Sequence, residues 1–377
     1  MSKMRVLHIK GTLSSDGATV VEYSFAKQLV DSIVFDWLLD TKPDVIWKQK
    51  FTELGSKVYH VKYKHSQVKL INIFHKYYAY KSFFKEHSIN TIHIDTDGFH
   101  RVVELFAAKR AGVSKRIIHS HNTKAEVNGL LSKRKSLIKL GQMLYLILAT
   151  DYVACSDKAG DWLFGKNNKT LLLKNGIDAQ RFRFNPQDRF EARNELGINN
   201  CIVYGHVGRF EKQKNHKFLI RVFKELYKRN KSSRLLLIGD GSLKNELINL
   251  VKSEQLESAV LFLGNVDNVE YYYNAMDLFL FPSLFEGFGI VAIEAQCNGL
   301  PVIMSRAVPE QTKINQNCVS LSLNNIMLWV DKAEQMSSII NRDRNEMFKL
   351  IESAHYDIQS TSKMLLDVYR VKENKIR

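Results

Sequence analysis

Both halves of the chain open with one pattern: an apolar strand-like run, a glycine-bearing loop, then a helix with apolar residues at helical spacing. The first copy is Arg5-Val6-Leu7-His8-Ile9, a loop holding Gly11 and Gly17, and a helix expected over Val20 to Val30. The second runs from Cys201 to Arg209, with Gly205 and Gly208, then a helix expected over His216 to Lys228. Strand, glycine loop and helix form the first step of a doubly wound α/β unit. More continuous apolar runs follow: Thr91 to Ile94, Arg116 to His119, Tyr152 to Cys155 and Thr170 to Leu173, then Arg234 to Ile238, Val260 to Leu263, Leu278 to Phe281 and Pro301 to Met304. Strands without polar alternation belong to parallel sheets covered on both faces. The expected fold class is therefore α/β, two Rossmann-like doubly wound domains.

At 377 residues the chain has room for two such cores. The first domain is expected over 1–180 and the second over 200–360. Between them, 181–199 reads as a polar, turn-rich linker containing Phe184-Asn185-Pro186-Gln187-Asp188. The chain from Asp331 on reads as helices, and one at about 360–377 could cross back to the first domain. No apolar run approaches the roughly 20 residues of a spanning helix. Met1 to Lys10 lacks the apolar core and small-residue cleavage site of a signal peptide. Cys155, Cys201, Cys297 and Cys318 stand singly, which suits reduced thiols in a cytoplasmic protein.

The formal net charge of +16 is concentrated in the first half. Between Lys57 and Lys85 lie seven lysines and no acid, interleaved with Tyr59, Tyr63, Phe74, Tyr77, Tyr78, Tyr80, Phe83 and Phe84. Lys133-Arg134-Lys135 and Lys139 abut the apolar Leu140 to Leu148. Such a region can be a solvated helix face with core aromatics, a nucleic-acid surface or an anionic-membrane surface. The membrane reading is preferred, because lysine and aromatic side chains on an amphipathic helix suit the interface. No nucleic-acid motif accompanies the charge, so no nucleic-acid partner is expected. The expected location is cytoplasmic, peripheral on the inner face of the plasma membrane.

The chemistry concentrates in Glu286-Gly287-Phe288-Gly289-Ile290-Val291-Ala292-Ile293-Glu294, which follows the run Leu278 to Ser283. A helix start behind a glycine loop offers backbone N–H groups to an anion. Carboxylates beside it can accept from two vicinal sugar hydroxyls. A nucleotide-sugar needs both. Arg209 and Lys214 follow a second-half strand, where fixed cations could stabilise a departing diphosphate.

The chain resembles the retaining glycosyltransferase 4 family of the GT-B fold, and within it the bacterial exopolysaccharide and capsule enzymes. The resemblance is carried by His119-Ser120-His121-Asn122, Ala154-Cys155-Ser156, Lys174 to Asp178, His206 to Phe210, Gln213 to His216, Gly239-Asp240-Gly241, Glu286 to Glu294 and Gly299 to Ile303. It implies that Arg209 and Lys214 grip the diphosphate, and that Glu294 accepts from the nucleotide ribose. Glu286 would serve the donor-sugar and phosphate end. Gly208, Gly239, Asp240, Val266, Gly287, Phe288, Gly289 and Ile290 would line the donor site. His121, with His119 as runner-up, would face the transferred sugar, and Gly17 would lie on the acceptor side. The implied reaction moves a sugar from a nucleoside diphosphate, UDP by preference, to a glycan or lipid-linked hydroxyl, with retention. The implied arrangement is an acceptor domain facing a donor domain across a cleft.

Asp95-Thr96-Asp97 spells DxD, a pattern that holds a divalent metal in some sugar transferases. A hard cation wants further oxygen ligands nearby, and this pair falls in the expected acceptor domain. No metal is expected, and no cofactor beyond the nucleotide-sugar co-substrate. The rival readings are a nucleotide-sugar epimerase or hydrolase on the same fold, a glycosidase using Glu286 and Glu294, and a non-enzymatic basic module.

Overall fold

The structure, a computed structural model, describes residues 3–14, 17–64, 66–96, 98–121, 135–166, 168–338 and 344–370. It divides into two units: Met1–Gly176 with Ile358–Arg377, and Ile177–Asp357.

The first unit holds seven strands: β1 (Met4–Lys10), β2 (Ile33–Leu39), β3 (Val58–Tyr59), β4 (Thr91–Thr96), β5 (Lys115–Ser120), β6 (Asp151–Ala154) and β7 (Leu171–Leu172). They hydrogen-bond in the order β3-β2-β1-β4-β5-β6-β7, every pair parallel. β2 is not among the strands expected from the sequence. Its run Ile33-Val34-Phe35-Asp36-Trp37-Leu38-Leu39 is buried throughout, with a charge at its centre. That charge is neutralised: Asp36 takes both Arg5, through Nε at 2.7 Å, and the backbone N–H of Lys57 at 2.8 Å.

The second unit holds β8 (Ile202–Val207), β9 (Ser233–Ile238), β10 (Val260–Gly264), β11 (Leu278–Phe281), β12 (Val302–Ser305) and β13 (Cys318–Leu321). Their order is β10-β9-β8-β11-β12-β13, again all parallel. The short, half-buried β13 is likewise an addition to the expected strands. In both units the strand order reverses beside the first strand, and α/β sheets place ligands at the strand C-termini next to that reversal. The core of the second unit centres on Leu235, Leu237, Leu278 and Leu280 of the sheet, with Phe223 and Trp329 from the helices.

The expected linker is folded. Residues 181–199 contain part of the helix Ala179–Phe182 and the whole of Pro186–Glu195, and belong to the second unit. The turn-forming residues that suggest a linker are helix starts. Asp178 accepts from Arg181 N, Asn185 accepts from Gln187 N and Asp188 N, and Pro186 follows where no backbone donor is needed. Arg189 and Arg193 then tie this helix to Asp277.

The helix Ile358–Arg370 belongs to the first unit, packed on the helix Gly17–Gln28. Its expected continuation to 377 lies outside the described residues. Gly17 is the first residue of its helix rather than part of the loop.

The basic aromatic stretch becomes the helix Lys69–Glu86, of which only Tyr80 and Phe84 are buried. Leu70, Phe74 and Tyr78 are more than 60% exposed. Lys133 and Arg134 lie outside the described residues, but the helix Lys135–Leu148 exposes Leu140, Met143 and Ile147. Both helices pack against Val102–Ala111, which adds the exposed Phe106, its ring 5.4 Å from that of Tyr77. No helix among the described residues is long and apolar enough to cross a membrane.

Candidate active site

In the second unit the loops at the C-terminal ends of β8, β9 and β11 converge. Gly208 follows β8 and Gly239 follows β9. Gly239 has φ +134°, and a Cβ there would lie 2.2 Å from the carbonyl oxygen of Gly208. Two backbones meet where no side chain fits. Asp240 caps this junction, accepting from Gly241 N at 2.7 Å and from Lys244 Nζ at 2.6 Å. Its carboxyl is held below the ordinary range, first by Lys244 and then by Gly241. Val266 sits half-buried in the loop after β10.

Lys214 comes from the short 3-10 turn Lys212–Lys214 after β8. Its Nζ lies 2.6 Å from Glu286 Oε1 and 5.0 Å from the centre of the Phe281 ring. Both ends of this pair are largely buried. Backbone contacts fix the loops that carry it: Leu284 N donates to Gln213 O, and Gln213 Nε2 donates to Phe285 O. Arg209 is exposed, and its side chain makes no hydrogen bond or ion pair with any described residue. Beneath them His206 is fully buried and donates from Nδ1 to Leu280 O. Burial lowers its pKa to about 3, so it is neutral beside Lys214.

Gly287, Phe288 and Gly289 lead into the helix Ile290–Cys297. Gly289 is left-handed at φ +89°, with Phe281 and Val308 closing the space a Cβ would need. Phe288 is buried against Tyr356, and its carbonyl accepts from Thr312 Oγ1 at 2.5 Å. Ile290 opens the helix, so the N–H groups of its first turn lie beside Glu286 in sequence. Glu294 is one turn further on, buried, and accepts from the Tyr273 hydroxyl at 2.9 Å. Burial raises its pKa to about 7, despite the opposing Tyr273 bond and Arg181 charge.

That shift has a sign. Glu294 binds a proton more readily when folded than at its ordinary value of 4.5. Stability should therefore fall as pH rises from 4.5 to 7 and be flat above that window, by about 3 kcal/mol at most. Glu294→Gln should lose this slope in urea melts at pH 5 and pH 7.5. An unchanged slope would place the titration elsewhere.

The first unit gathers a second polar cluster. In parallel strands paired residues share a face, and so do residues two apart. His8 of β1 is in register with His93 of β4, and Asp95 of β4 with His119 of β5. His121 is two residues past His119. Five polar groups thus line one sheet face. His121 Nε2 lies 2.7 Å from Asp95 Oδ1, and His93 Nε2 lies 3.1 Å from His119 Nδ1. Tyr369, from the helix Ile358–Arg370, sits 2.7 Å from His93 Nδ1 and 3.2 Å from His8 Nε2. His8, His93, Asp95, His119 and His121 border a cavity of about 20 Å³, with Glu22 on its wall. Of the two expected histidines, His119 is buried inside the cluster and His121 keeps 20% of its side chain exposed.

Asp95 of the DxD pattern is therefore buried among imidazoles, and Asp97 lies outside the described residues, as does Asn122. His93, Asp95 and His119 do bring three possible ligand atoms within 4.8 Å of one another, as do Glu22, Asp95 and His121. Reasoning from the sequence misses His8, His93 and Tyr369. The period-two spacing of His93 and Asp95, and of His119 and His121, is the available signal.

EpsF of Bacillus subtilis (strain 168), a glycosyltransferase by its name, is 31% identical over 99% of this chain and 98% of its own length. The chain belongs to the group 1 glycosyltransferases. The family model, glycosyl transferases group 1, matches residues 188–342, which include Arg209, Lys214, Glu286 and Glu294. The N-acetylgalactosamine-N,N'-diacetylbacillosaminyl-diphospho-undecaprenol 4-alpha-N-acetylgalactosaminyltransferase of Campylobacter jejuni is 43% identical over 34% of this chain and 32% of its own. Among solved structures, Anabaena Alr3699/HepE in complex with UDP and glucose superposes with a TM-score of 0.76 at 18% identity, covering 97% of this chain and 99% of the other. This group 1 glycosyltransferase thus has the GT-B fold, with each unit a parallel α/β sheet.

Proposed function

We propose that this glycosyltransferase moves a sugar from a UDP-sugar, with retention, to a lipid-linked glycan hydroxyl during synthesis of a bacterial exopolysaccharide or capsule. The observation that carries the donor reading is the Lys214–Glu286 pair at 2.6 Å beside the glycine-led helix start at Gly289. A cation, a carboxylate and N–H donors in one place suit a diphosphate joined to a sugar. Arg209, whose guanidinium is held by no carboxylate among the described residues, is available to the same phosphates. UDP as donor is supported by the HepE complex, and a lipid-linked acceptor by the diphospho-undecaprenol in the Campylobacter enzyme's name. The two cations supply the charge that a divalent metal would otherwise bring, so transfer is metal-independent in this reading. Retention proceeds by front-side attack, with the departing phosphate oxygen taking the acceptor proton. Lys214, Arg209 and the Gly287–Gly289 backbone stabilise that oxygen.

A donor screen tests the reading. A panel of UDP- and GDP-sugars is incubated with and without a membrane extract, and released nucleotide is measured. Release from one UDP-sugar, stimulated by extract and insensitive to EDTA, is the expected result. Release that is independent of any acceptor would favour a hydrolase on the same fold.

The exposed apolar residues beside the lysines favour an anionic membrane as the place of work. Each lysine near such a surface contributes about 1 kcal/mol. Charge reversal of the exposed Lys57, Lys62, Lys64 and Lys69 should therefore release the enzyme from vesicles containing phosphatidylglycerol, by two or more orders of magnitude at low salt. Unchanged sedimentation with vesicles would remove this face from the membrane.

A further inference from the structure

The cluster in the first unit can be read proton by proton. Asp95 is ionised. Burial alone would raise its carboxyl, but the surrounding imidazoles of His93, His121 and His8, with His121 in hydrogen-bond contact at 2.7 Å, hold it well below the ordinary range. His93 and His119 are neutral, because burial lowers both. An ionised carboxylate only accepts, so His121 Nε2, at 2.7 Å from Oδ1, carries the hydrogen. His8 Nδ1 lies 3.6 Å from Asp95 Oδ2, and a hydrogen there avoids setting a lone pair against an anion. His8 Nε2 is then an acceptor for the Tyr369 hydroxyl at 3.2 Å. Tyr369 has one proton, so at its other contact, 2.7 Å, His93 Nδ1 must donate. His93 Nε2 in turn accepts from His119 Nδ1 at 3.1 Å. Each of these hydrogen-bond contacts then has one donor and one acceptor.

One ring keeps a nitrogen uncommitted. His121 has Nε2 committed to Asp95, its backbone N–H is directed at Thr96 O at 3.5 Å, and its ring is the one histidine ring of the five-residue set with substantial exposure. Its remaining ring nitrogen is Nδ1, which has no hydrogen-bond partner among the described residues.

We propose that Asp95 is a positioning residue that locks His121 in the Nε2–H form, so that Nδ1 accepts a hydrogen bond from a sugar hydroxyl. The proposal rests on the glycosyltransferase reading for the hydroxyl, but not for the tautomer. A site that accepts discriminates: it favours a sugar with a free hydroxyl at the contacted carbon and rejects a deoxy or O-methyl analogue. Tyr369 and His93 serve as the far end of the same lock, fixing which nitrogen of His8 faces Asp95. A bound metal is the competing account of His93, Asp95 and His119. The pairing above favours hydrogen bonds, since Asp95 Oδ1 already takes His121 and the His93–His119 contact is of hydrogen-bond length.

The test reads the tautomer directly. Long-range 1H–15N spectra of 15N-histidine-labelled enzyme, with His121→Gln to assign the signal, should show His121 protonated on Nε2 alone at pH 7.5. The ionisable groups facing it are Asp95 and His119, with His8, His93, Glu22 and Tyr369 behind, and Lys10 held by Glu22 at 2.7 Å. In Asp95→Asn the side-chain amide can donate, and the hydrogen on His121 should move to Nδ1. Turnover with the donor found in the screen should then fall about 10²-fold or more, with KM for the nucleotide little changed. Wild-type His121 protonated on Nδ1 would overturn the proposal without need of any variant, as would an Asp95→Asn enzyme of normal kcat. A stoichiometric metal in the purified wild type, lost in His119→Ala, would replace it with a metal centre. If no donor is turned over by wild type but the tautomer is as assigned, the transfer reading fails and the lock stands.

Discussion

Lys214→Ala should lower kcat by about 10²–10³-fold, the effect of removing one group that meets developing charge in a transition state. The same change should weaken UDP binding while leaving uridine binding alone, because in the proposed site only the diphosphate would meet the ammonium. The substitution has a second effect that must be separated from the first. Glu286 is 6% exposed and loses the partner held at 2.6 Å, which costs roughly 3 kcal/mol as an uncompensated buried charge. A Lys214→Met, Glu286→Gln double variant removes that charge and should recover the melting temperature, with no recovery of turnover. Isothermal titration with UDP and with uridine, beside steady-state rates, checks both halves. Equal losses for the two ligands would mean that Lys214 shapes the pocket and does not meet phosphate.

Gly239→Ala should be among the most damaging single-methyl additions in the chain. The new carbon would stand 2.2 Å from the Gly208 carbonyl oxygen, and φ at this position is +134°. Neither backbone can retreat cheaply, since Gly208 N bonds Ile238 O at 2.9 Å and Gly239 N bonds Gly264 O at 2.8 Å. A cost of about 4 kcal/mol is expected, lowering Tm by roughly 10 °C for a unit of this size. Gly197→Ala is the control. It has φ +65° with nothing within 4 Å of the added carbon, so it should cost only about 1 kcal/mol. Equal melting temperatures for the two variants would show that the junction can open.

What is legible in the sequence follows from the physics of parallel sheets. Runs such as Leu235-Leu236-Leu237-Ile238 are buried on both faces, so they need no partner to be recognised. β2 is hidden because Asp36 interrupts such a run, and only the folded chain brings Arg5 to it. The stretch that starts helices at Asn185 and Asp178 reads as a linker, since the same residues cap helices and make turns. In the candidate active site, Lys214 and Glu286 lie 72 positions apart, and family pattern, not spacing, connects them in the sequence. The histidine cluster shows the opposite limit. Counting alone puts His93 and Asp95 on one face, but their alignment with His8 and His119 depends on strand order and register, which one sequence does not carry. Tyr369 is further removed, 276 positions from His93.

That distance has a consequence for how the enzyme is made. The first unit is built from the start of the chain and from the helix Ile358–Arg370, with the whole of Ile177–Asp357 between them. On the ribosome, the sheet carrying His8, His93 and His119 is therefore synthesised well before the hydroxyl that completes it. At about 5–20 residues per second the wait is on the order of ten to forty seconds. During that time the face meant for Tyr369 and Leu365 is uncovered, while the second unit emerges and can fold on its own core. The nascent first unit is thus the stage at which this chain most needs protection from aggregation, and shielding by a chaperone would matter most before residue 369 has left the exit tunnel.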